Sequence, residues 1–259
     1  MSRVLIIPAA GSGSRLAAGV PKVLAPVNGR PMLDHLLRLY WPHVDRVVCV
    51  VRPGVEQEVL RLGGAAGVVL QPLVQAAPTG MLDAILIAVE QVRQVGPDWV
   101  WITWCDQVAI LPETVDELGR RCAEGAEVGM VVPTVARRSP YIHFDRDSHH
   151  RIVGLRQRRE GDAMPEVGES DAGLFALSRR ACLELLPVFD AETGPGRTTG
   201  ERNFLPFIPW LSARHPNAVV TFPCRDPREA VGINTPGELR EIESWLRERR
   251  EGLAPGMSA

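Results

Sequence analysis

The chain has 259 residues, 45% hydrophobic and 23% charged, which suits a globular protein long enough to bury a sizeable core. With 29 Lys and Arg against 31 Asp and Glu, the net charge of −2 points to neither a nucleic-acid partner nor a membrane surface. No stretch approaches the roughly 18 apolar residues of a membrane span. The opening "MSRVLIIPAAG" breaks into glycine too early for a secretory signal. The five cysteines are odd in number, scattered and without zinc spacing, so a soluble protein of the reducing cytoplasm is expected.

In chain order, short apolar runs alternate with helical patterns. "RVLIIPA" (3–9) reads as a buried strand, and "PMLDHLLRLYW" (31–41) as a helix with Pro31 in its first turn. "DRVVCVV" (45–51) is a second strand, "GVEQEVLRL" a short helix and "GVVLQ" a third strand. "TGMLDAILIAVEQVRQ" (79–94) is a helix with Thr79 as its expected N-cap. "DWVWITWCD" (98–106) is a fourth strand closed by Asp106; a helix over "LPETVDELGRRCAEG" stops at Gly125, and "EVGMVVP" is a fifth strand. Continuous apolar strands alternating with helices predict an α/β fold with a mostly parallel central sheet covered on both faces.

After Pro133 the pattern changes. "SPYIHFDRD", "HRIVGLRQR" and "SDAGLFALS" read as strands without intervening helices, a smaller antiparallel subregion laid over the sheet like a lid. Helices return at 178–186 and about 201–214, followed by a strand "AVVTFP" and a last helix from Thr235. No repeat or low-complexity linker divides the chain, so one domain over 1–251 is expected, with 252–259 a disordered tail.

The loop after the first strand carries the chemistry. "IIPAAGSGSRLAAGVPKVLAPVNGRPML" (6–33) leaves the strand at what an open parallel sheet makes its ligand-binding carboxyl edge. Glycines such as Gly11 and Gly13 let backbone approach a ligand closely, and exposed N–H groups suit phosphate oxygens. Arg15 adds a guanidinium that grips phosphate bidentately, and Lys22 a movable point charge. A plain turn with two solvated cations is the bland reading. A dinucleotide fingerprint would need G-x-G-x-x-G and an acid after the second strand; the spacing here is G-x-G-x-R and that strand ends on Arg52. A Walker loop fails for want of Gly-Lys-Ser/Thr. A third reading is a nucleoside triphosphate loop of the nucleotidyltransferase kind.

"PAAGSGSRL…PKVLAPVNGRPML" resembles the signature of the sugar-1-phosphate nucleotidyltransferases: A-G-x-G-S-R, then P-K, then G-x-P, in order. The likeness is nearest to the uridylyltransferase domain that makes UDP-N-acetylglucosamine. The signature is shared with glucose-1-phosphate thymidylyltransferases, polyol-phosphate cytidylyltransferases and molybdenum-cofactor nucleotidyltransferases. The resemblance implies a Rossmann-like, three-layer, GT-A-like fold, with a nucleotide-binding half at 1–133 and an acceptor-binding half at 134–251. It places the triphosphate on Ala9, Ala10, Gly11, Ser12, Gly13 and Ser14, with Arg15 and Lys22 as the catalytic cations. It implies Mg²⁺ on Asp106, with Asn234 of "VGINTPGEL" as second ligand; the bland alternatives are a turn residue at Asp106 and Asn234 or Thr235 as the cap of the last helix.

In the same family a glutamine before a Gly-containing turn reads the base, and Gln75, Thr79 and Gly80 of "VQAAPTGMLDAI" match part of that pattern. Gln75 also reads as an ordinary surface residue. "ESDAGLFAL" resembles the segment that lines the sugar pocket: Glu169 and Gly173 match, while Asp171 replaces an asparagine. Gln157 stands at the place of the family's sugar-binding glutamate, and Arg158 or Arg159 nearest its phosphate-binding lysine, or this is a solvated basic strand. These departures put the acceptor in doubt more than the reaction. The expected partners are a nucleoside triphosphate and a sugar-phosphate-like acceptor, with no nucleic acid and no membrane; oligomeric state is left open. The β-helical acetyltransferase part of bifunctional relatives has no counterpart in this sequence, so no acetyl transfer is expected. A CTP-dependent enzyme acting on a non-sugar phosphate, and a nucleotide-binding module without catalysis, remain as alternatives.

Overall fold

Side chains alternate strictly along the central strands, and both faces are covered. In β1 (Arg3–Ala9), Leu5, Ile7 and Ala9 enter one hydrophobic core while Val4 and Ile6 enter the other. The computed structural model describes residues 1–11, 13, 16, 19–125 and 129–252. The tail expected at 252–259 lies outside them from 253 onward, while Gly252 ends a helix.

After β1 come the two-residue strands β2 (Pro26–Val27) and β3 (Arg30–Pro31), then α1 (Met32–Tyr40), β4 (Arg46–Val51), α2 (Glu56–Ala66), β5 (Leu70–Val74) and α3 (Met81–Val95). The chain continues through β6 (Trp99–Thr103), α4 (Pro112–Glu124), β7 (Met130–Arg138), β8 (Ile142–Arg146), β9 (Ile152–Gln157), β10 (Val167–Asp171) and β11 (Leu174–Ser178). It closes with α5 (Leu186–Glu192), α6 (Phe207–Arg214), β12 (Val219–Pro223) and α7 (Pro236–Gly252).

The main sheet runs β7-β11-β6-β1-β4-β5, with β10 and β12 also paired to β7. β1 lies parallel to β4 and β6, β4 to β5, and β12 to β7; β11 and β10 run antiparallel to their neighbours. Helices α1, α2, α4 and α7 bury residues in one core, and α3, α5 and α6 in the other, giving three layers. From β1 the chain moves outward to β4 and β5, then returns to β6 on β1's other side. That reversal makes a topological switch point at the carboxyl ends of β1 and β6, the place where open α/β sheets bind ligands.

Several boundaries differ from the sequence expectation. α2 extends to Ala66, ending on Gly67 in the left-handed region at φ +69°, so β5 begins at Leu70 rather than at 67. α3 starts at Met81 with no side-chain cap; the Thr79 hydroxyl accepts instead from Gln75. β6 stops at Thr103, and Asp106 lies in the turn beyond it.

Pro133 does not end its strand. β7 runs through to Arg138, because Pro133 sits where pairing passes from β11, at residues 130–131, to β10, at residues 134–138. The segment expected as one strand, 170–178, is two. Its register with β7 shifts between Asp171↔Thr134 and Ala176↔Val131, and Gly173 supplies the turn at φ +73°. β10 and β11 thus belong to the main sheet, with β10 on β7 where it runs past the strand ends. β8 and β9 form a separate antiparallel hairpin packed against β10. The helix expected at 178–186 is a wide π turn over Ala181–Leu185 leading into α5, and α6 begins only at Phe207. Among the described residues no helix is long and apolar enough to cross a membrane.

Candidate active site

Three side chains from distant parts of the chain meet beyond the carboxyl end of β6. Lys22 opens a single 3-10 turn, Lys22–Leu24, set by extended Pro21. Its stem crosses Gly13: a Cβ at residue 13 would lie 2.8 Å from the Lys22 Cβ, and Gly13 has φ +60°. The second glycine of the motif is therefore required by Lys22 itself. Ala9 and Ala10 are buried at the end of β1, and Gly11 is exposed. Ser12, Ser14 and Arg15 lie outside the described residues.

Asp106 is placed by the turn after β6. Trp104 N–H donates to the Gly173 carbonyl at 3.1 Å, and Gln107 N–H to the Trp104 carbonyl at 3.2 Å. The 232–234 segment closes on Asp106 from the other side: Ile233 N–H donates to the Asp106 carbonyl at 3.2 Å, and a Cβ on Gly232 would come within 3.2 Å of the carboxylate. Asn234 Nδ2 donates to the Gly232 carbonyl at 3.1 Å, which turns Oδ1 toward Lys22. Lys22 Nζ then donates to Asp106 Oδ2 and, at 2.8 Å, to Asn234 Oδ1. The Lys22 and Asp106 side chains are each only 13% exposed, so their attraction is less screened than that of a surface pair.

Of the two roles expected in "NTPGEL", the helix cap falls on Thr235. Thr235 caps α7, its hydroxyl accepting from Glu238 N–H at 3.3 Å, while the Glu238 carboxylate accepts from the N–H groups of Asn234 and Thr235 at 2.8 Å each. Asn234 is left to face Lys22. One carboxylate and one amide carbonyl converging on a single cationic nitrogen form an all-oxygen donor pair. Such a pair fits a hard divalent ion that takes its remaining ligands from water and phosphate. Asp106 and Asn234 are the residues that could hold it.

Gln75 is 5% exposed rather than a surface residue. Its Nε2 donates to the Thr79 hydroxyl at 3.3 Å and to the Gly80 carbonyl at 3.2 Å, so the amide braces the turn that opens α3. Gly80 has a reason independent of any base: at φ +139° a Cβ there would lie 2.3 Å from the Arg202 carbonyl oxygen. The 79–82 turn is pinned to residue 202 by Arg202 N–H to Thr79 O at 3.0 Å and Leu82 N–H to Arg202 O at 3.1 Å.

On the acceptor side the expected residues carry protein partners. Glu169 receives two hydrogen bonds from Arg146, both at 2.6 Å; burial is the largest single influence and raises its carboxyl, but Arg146, the Thr134 hydroxyl and the His143 charge together hold it below the ordinary range. Gln157 accepts from Asn203, and Arg158 donates to the Pro140 carbonyl at 3.2 Å while lying over the Tyr141 ring. Arg159 reaches Glu201 at 3.2 Å. Asp171 is buried and accepts from Gly173 N–H at 2.8 Å; burial pushes its carboxyl up to about 6. Gly173 packs against Gln107, the neighbour of Asp106, where a Cβ would clash at 2.5 Å. Among the described residues, no hydrogen bond joins Gln157, Arg158 or Glu169 to the Lys22–Asp106–Asn234 group.

Sequence reasoning missed what holds this constellation. Arg146, Arg202 and Asn203 were not singled out. Glu229 was also missed: it is fully buried and accepts from Leu111 N–H at 3.0 Å and from the Thr114 hydroxyl at 2.5 Å. A signal for Glu229 was present, because Asp226-Pro-Arg-Glu229 is a capping-box pattern, and the structure forms that box.

An α/β sheet with a Lys–Asp–Asn group near its switch point is the arrangement expected of a nucleotidyltransferase domain. A family model for the MobA-like NTP transferase domain matches residues 5–198, and the chain belongs to that family. It is 27% identical over 255 residues to the bifunctional protein GlmU of Oleidesulfovibrio alaskensis, covering 94% of this chain and 52% of that protein. It is 30% identical over 264 residues to the bifunctional protein GlmU of Azorhizobium caulinodans, covering 98% and 56%. For the protein of the same name from Nitratidesulfovibrio vulgaris (strain Hildenborough) the figures are 30% over 247 residues, 94% and 52%. The chain thus spans about half the length of these relatives.

Proposed function

We propose that the protein joins a nucleoside triphosphate, UTP or dTTP, to a sugar-1-phosphate-like acceptor, giving a nucleoside diphosphate sugar and pyrophosphate with the help of Mg²⁺. The observation that carries this reading is the meeting of Lys22, Asp106 and Asn234 at the switch point, 84 and 212 positions apart in sequence.

An oxygen of the acceptor phosphate attacks the α-phosphorus in line. The bond from the α-phosphorus to the bridging oxygen breaks, and pyrophosphate leaves with that oxygen. The nucleophile is already anionic, so no general base is required, and catalysis is positioning and charge neutralisation. Backbone N–H groups of the loop from Gly11 hold the triphosphate. Lys22 Nζ stands between α-phosphate and acceptor phosphate and draws their oxygens together. Arg15 offsets charge on the departing pyrophosphate. Magnesium, held by Asp106 and Asn234, would supply further neutralisation of the phosphate oxygens. Gln75 keeps the turn before α3 in place beside the base. On the acceptor side, the Arg146–Glu169 pair and buried Asp171 support an acceptor other than N-acetylglucosamine-1-phosphate.

The test is pyrophosphate release, measured for four nucleotides against a panel of sugar-1-phosphates and polyol phosphates. Turnover with UTP or dTTP and a sugar-1-phosphate is expected, falling about a hundredfold in Lys22→Ala and in Asp106→Ala. A CTP preference with a polyol phosphate would replace the acceptor and base. Nucleotide binding without release across the whole panel would leave a binding module.

A further inference from the structure

Lys22 sits where a divalent ion would have to sit. Its Nζ touches both oxygens that the reading above gives to the metal, Asp106 Oδ2 and Asn234 Oδ1. We propose that Lys22 is the resident counter-cation of this pair, excluding free divalent metal until a triphosphate draws the ammonium away. The inference rests on the assignment of Asp106 and Asn234 as metal ligands, and it adds an order of binding.

Charge and space both support it. Asn234 is neutral, so the Lys22 ammonium cancels the Asp106 charge among these three side chains and weakens their attraction for a cation. Magnesium binds oxygen at about 2.0–2.1 Å. An ion shared by the same two oxygens would collide with Nζ or stand beside it, with like charges in a half-desolvated site. Without Lys22, Asp106 would keep its burial and lose its partner, which favours capture of another cation.

The lysine is also built to leave. Its backbone is fixed by the 3-10 turn, but four flexible carbons separate that anchor from the ammonium. The stem passes over Gly13, where there is no side chain to wall it in. Phosphate oxygens gathered on the same loop give Nζ a second set of acceptors. They bring several negative charges to the site, so one event vacates the metal position and creates the demand for metal. Metal therefore arrives with or after the nucleotide.

The experiment measures Mn²⁺ binding by electron paramagnetic resonance, with and without UTP or CTP, on the full chain. Without nucleotide, wild type is expected to bind Mn²⁺ weakly. Lys22→Met should bind it at least about tenfold tighter, a gain that Asp106→Asn removes. Mn²⁺ should raise the thermal midpoint of Lys22→Met and not that of the wild type. Lys22→Gln, which keeps a hydrogen-bond donor but no charge, repeats the comparison if Lys22→Met folds poorly. Tight Mn²⁺ binding by nucleotide-free wild type overturns the proposal by itself, as does equal affinity in wild type and the Lys22 variants. In either of those cases, if Asp106→Asn still weakens Mn²⁺ in the nucleotide complex, the gating falls and the metal assignment stands. If no Mn²⁺ binding depends on Asp106 in either state, the metal assignment falls with it.

Discussion

Asp171 is a carboxylate that the fold holds at a cost. It is 8% exposed at the end of β10, with its Oδ1 accepting from Gly173 N–H. Burial pushes its carboxyl from 3.8 up to about 6, with the Gly173 hydrogen bond opposing. A raised acid pKa means that the folded protein takes up a proton near pH 5 that the unfolded chain does not. Its contribution to stability is therefore fully present below about pH 4 and is lost as pH rises through about 6. Asp171→Asn keeps the acceptor and removes the charge. Its thermal midpoint should exceed that of wild type at pH 7.5, by a stability difference on the order of 2 kcal/mol, and the difference should vanish near pH 4. Equal midpoints at both pH values would refute the account. A rise in KM for the acceptor alongside the gain would assign Asp171 a second role in binding.

The 224–234 segment delivers Asn234, and one carboxylate holds it. Glu229 accepts from Arg225 and Asp226 N–H groups at 3.1 and 3.2 Å through one oxygen, and from Leu111 N–H and the Thr114 hydroxyl through the other. It ties this segment to the first turn of α4, where the partial positive charge of a helix N-terminus favours it. Glu229→Gln replaces one acceptor oxygen with an NH₂ group facing donors. Urea denaturation should show a loss of about 2–4 kcal/mol. Turnover should fall at a temperature where the variant is still folded, because Asn234 is no longer held against Lys22. An unchanged midpoint would mean that the buried contacts are replaceable. The Asp-x-x-Glu pattern of this element was readable from sequence, but its grip on α4 was not. Thr79 is the reverse case: a sound local N-cap whose hydroxyl was taken by buried Gln75.

One sheet separates two cores, and cysteines report on both. Cys49, Cys105 and Cys122 lie in one core and Cys182 in the other; all four are buried, and burial raises each thiol, to about 12 at Cys105, Cys122 and Cys182. Cys224 is partly exposed, and burial raises its thiol as well. A thiol reagent at pH 8 should leave the four buried cysteines unmodified in the native protein. If residues 1–251 fold as one cooperative domain, all four should become reactive at a single urea midpoint, located by mass mapping. Two separated midpoints, with Cys182 apart from the others, would divide the molecule along its sheet.

By itself the sequence determined the alternating β and α elements, the glycine loop, and the candidates Lys22, Asp106 and Asn234. The elements and the loop are local signals: apolar periodicity tells which face of an element is buried, and a glycine loop between a strand and a lysine tells where backbone meets ligand, while Asp106 and Asn234 come from the family resemblance. Tertiary structure alone decided that Arg146 takes Glu169, that Gly80 exists for the Arg202 backbone, that Glu229 anchors the segment leading to Asn234, and that Lys22 bridges the Asp106 and Asn234 side-chain oxygens. The physical reason is that a carboxylate or a glycine carries no mark of its partner. Partners are chosen by strand register and by loops meeting across long stretches of chain, and neither is encoded in any local window.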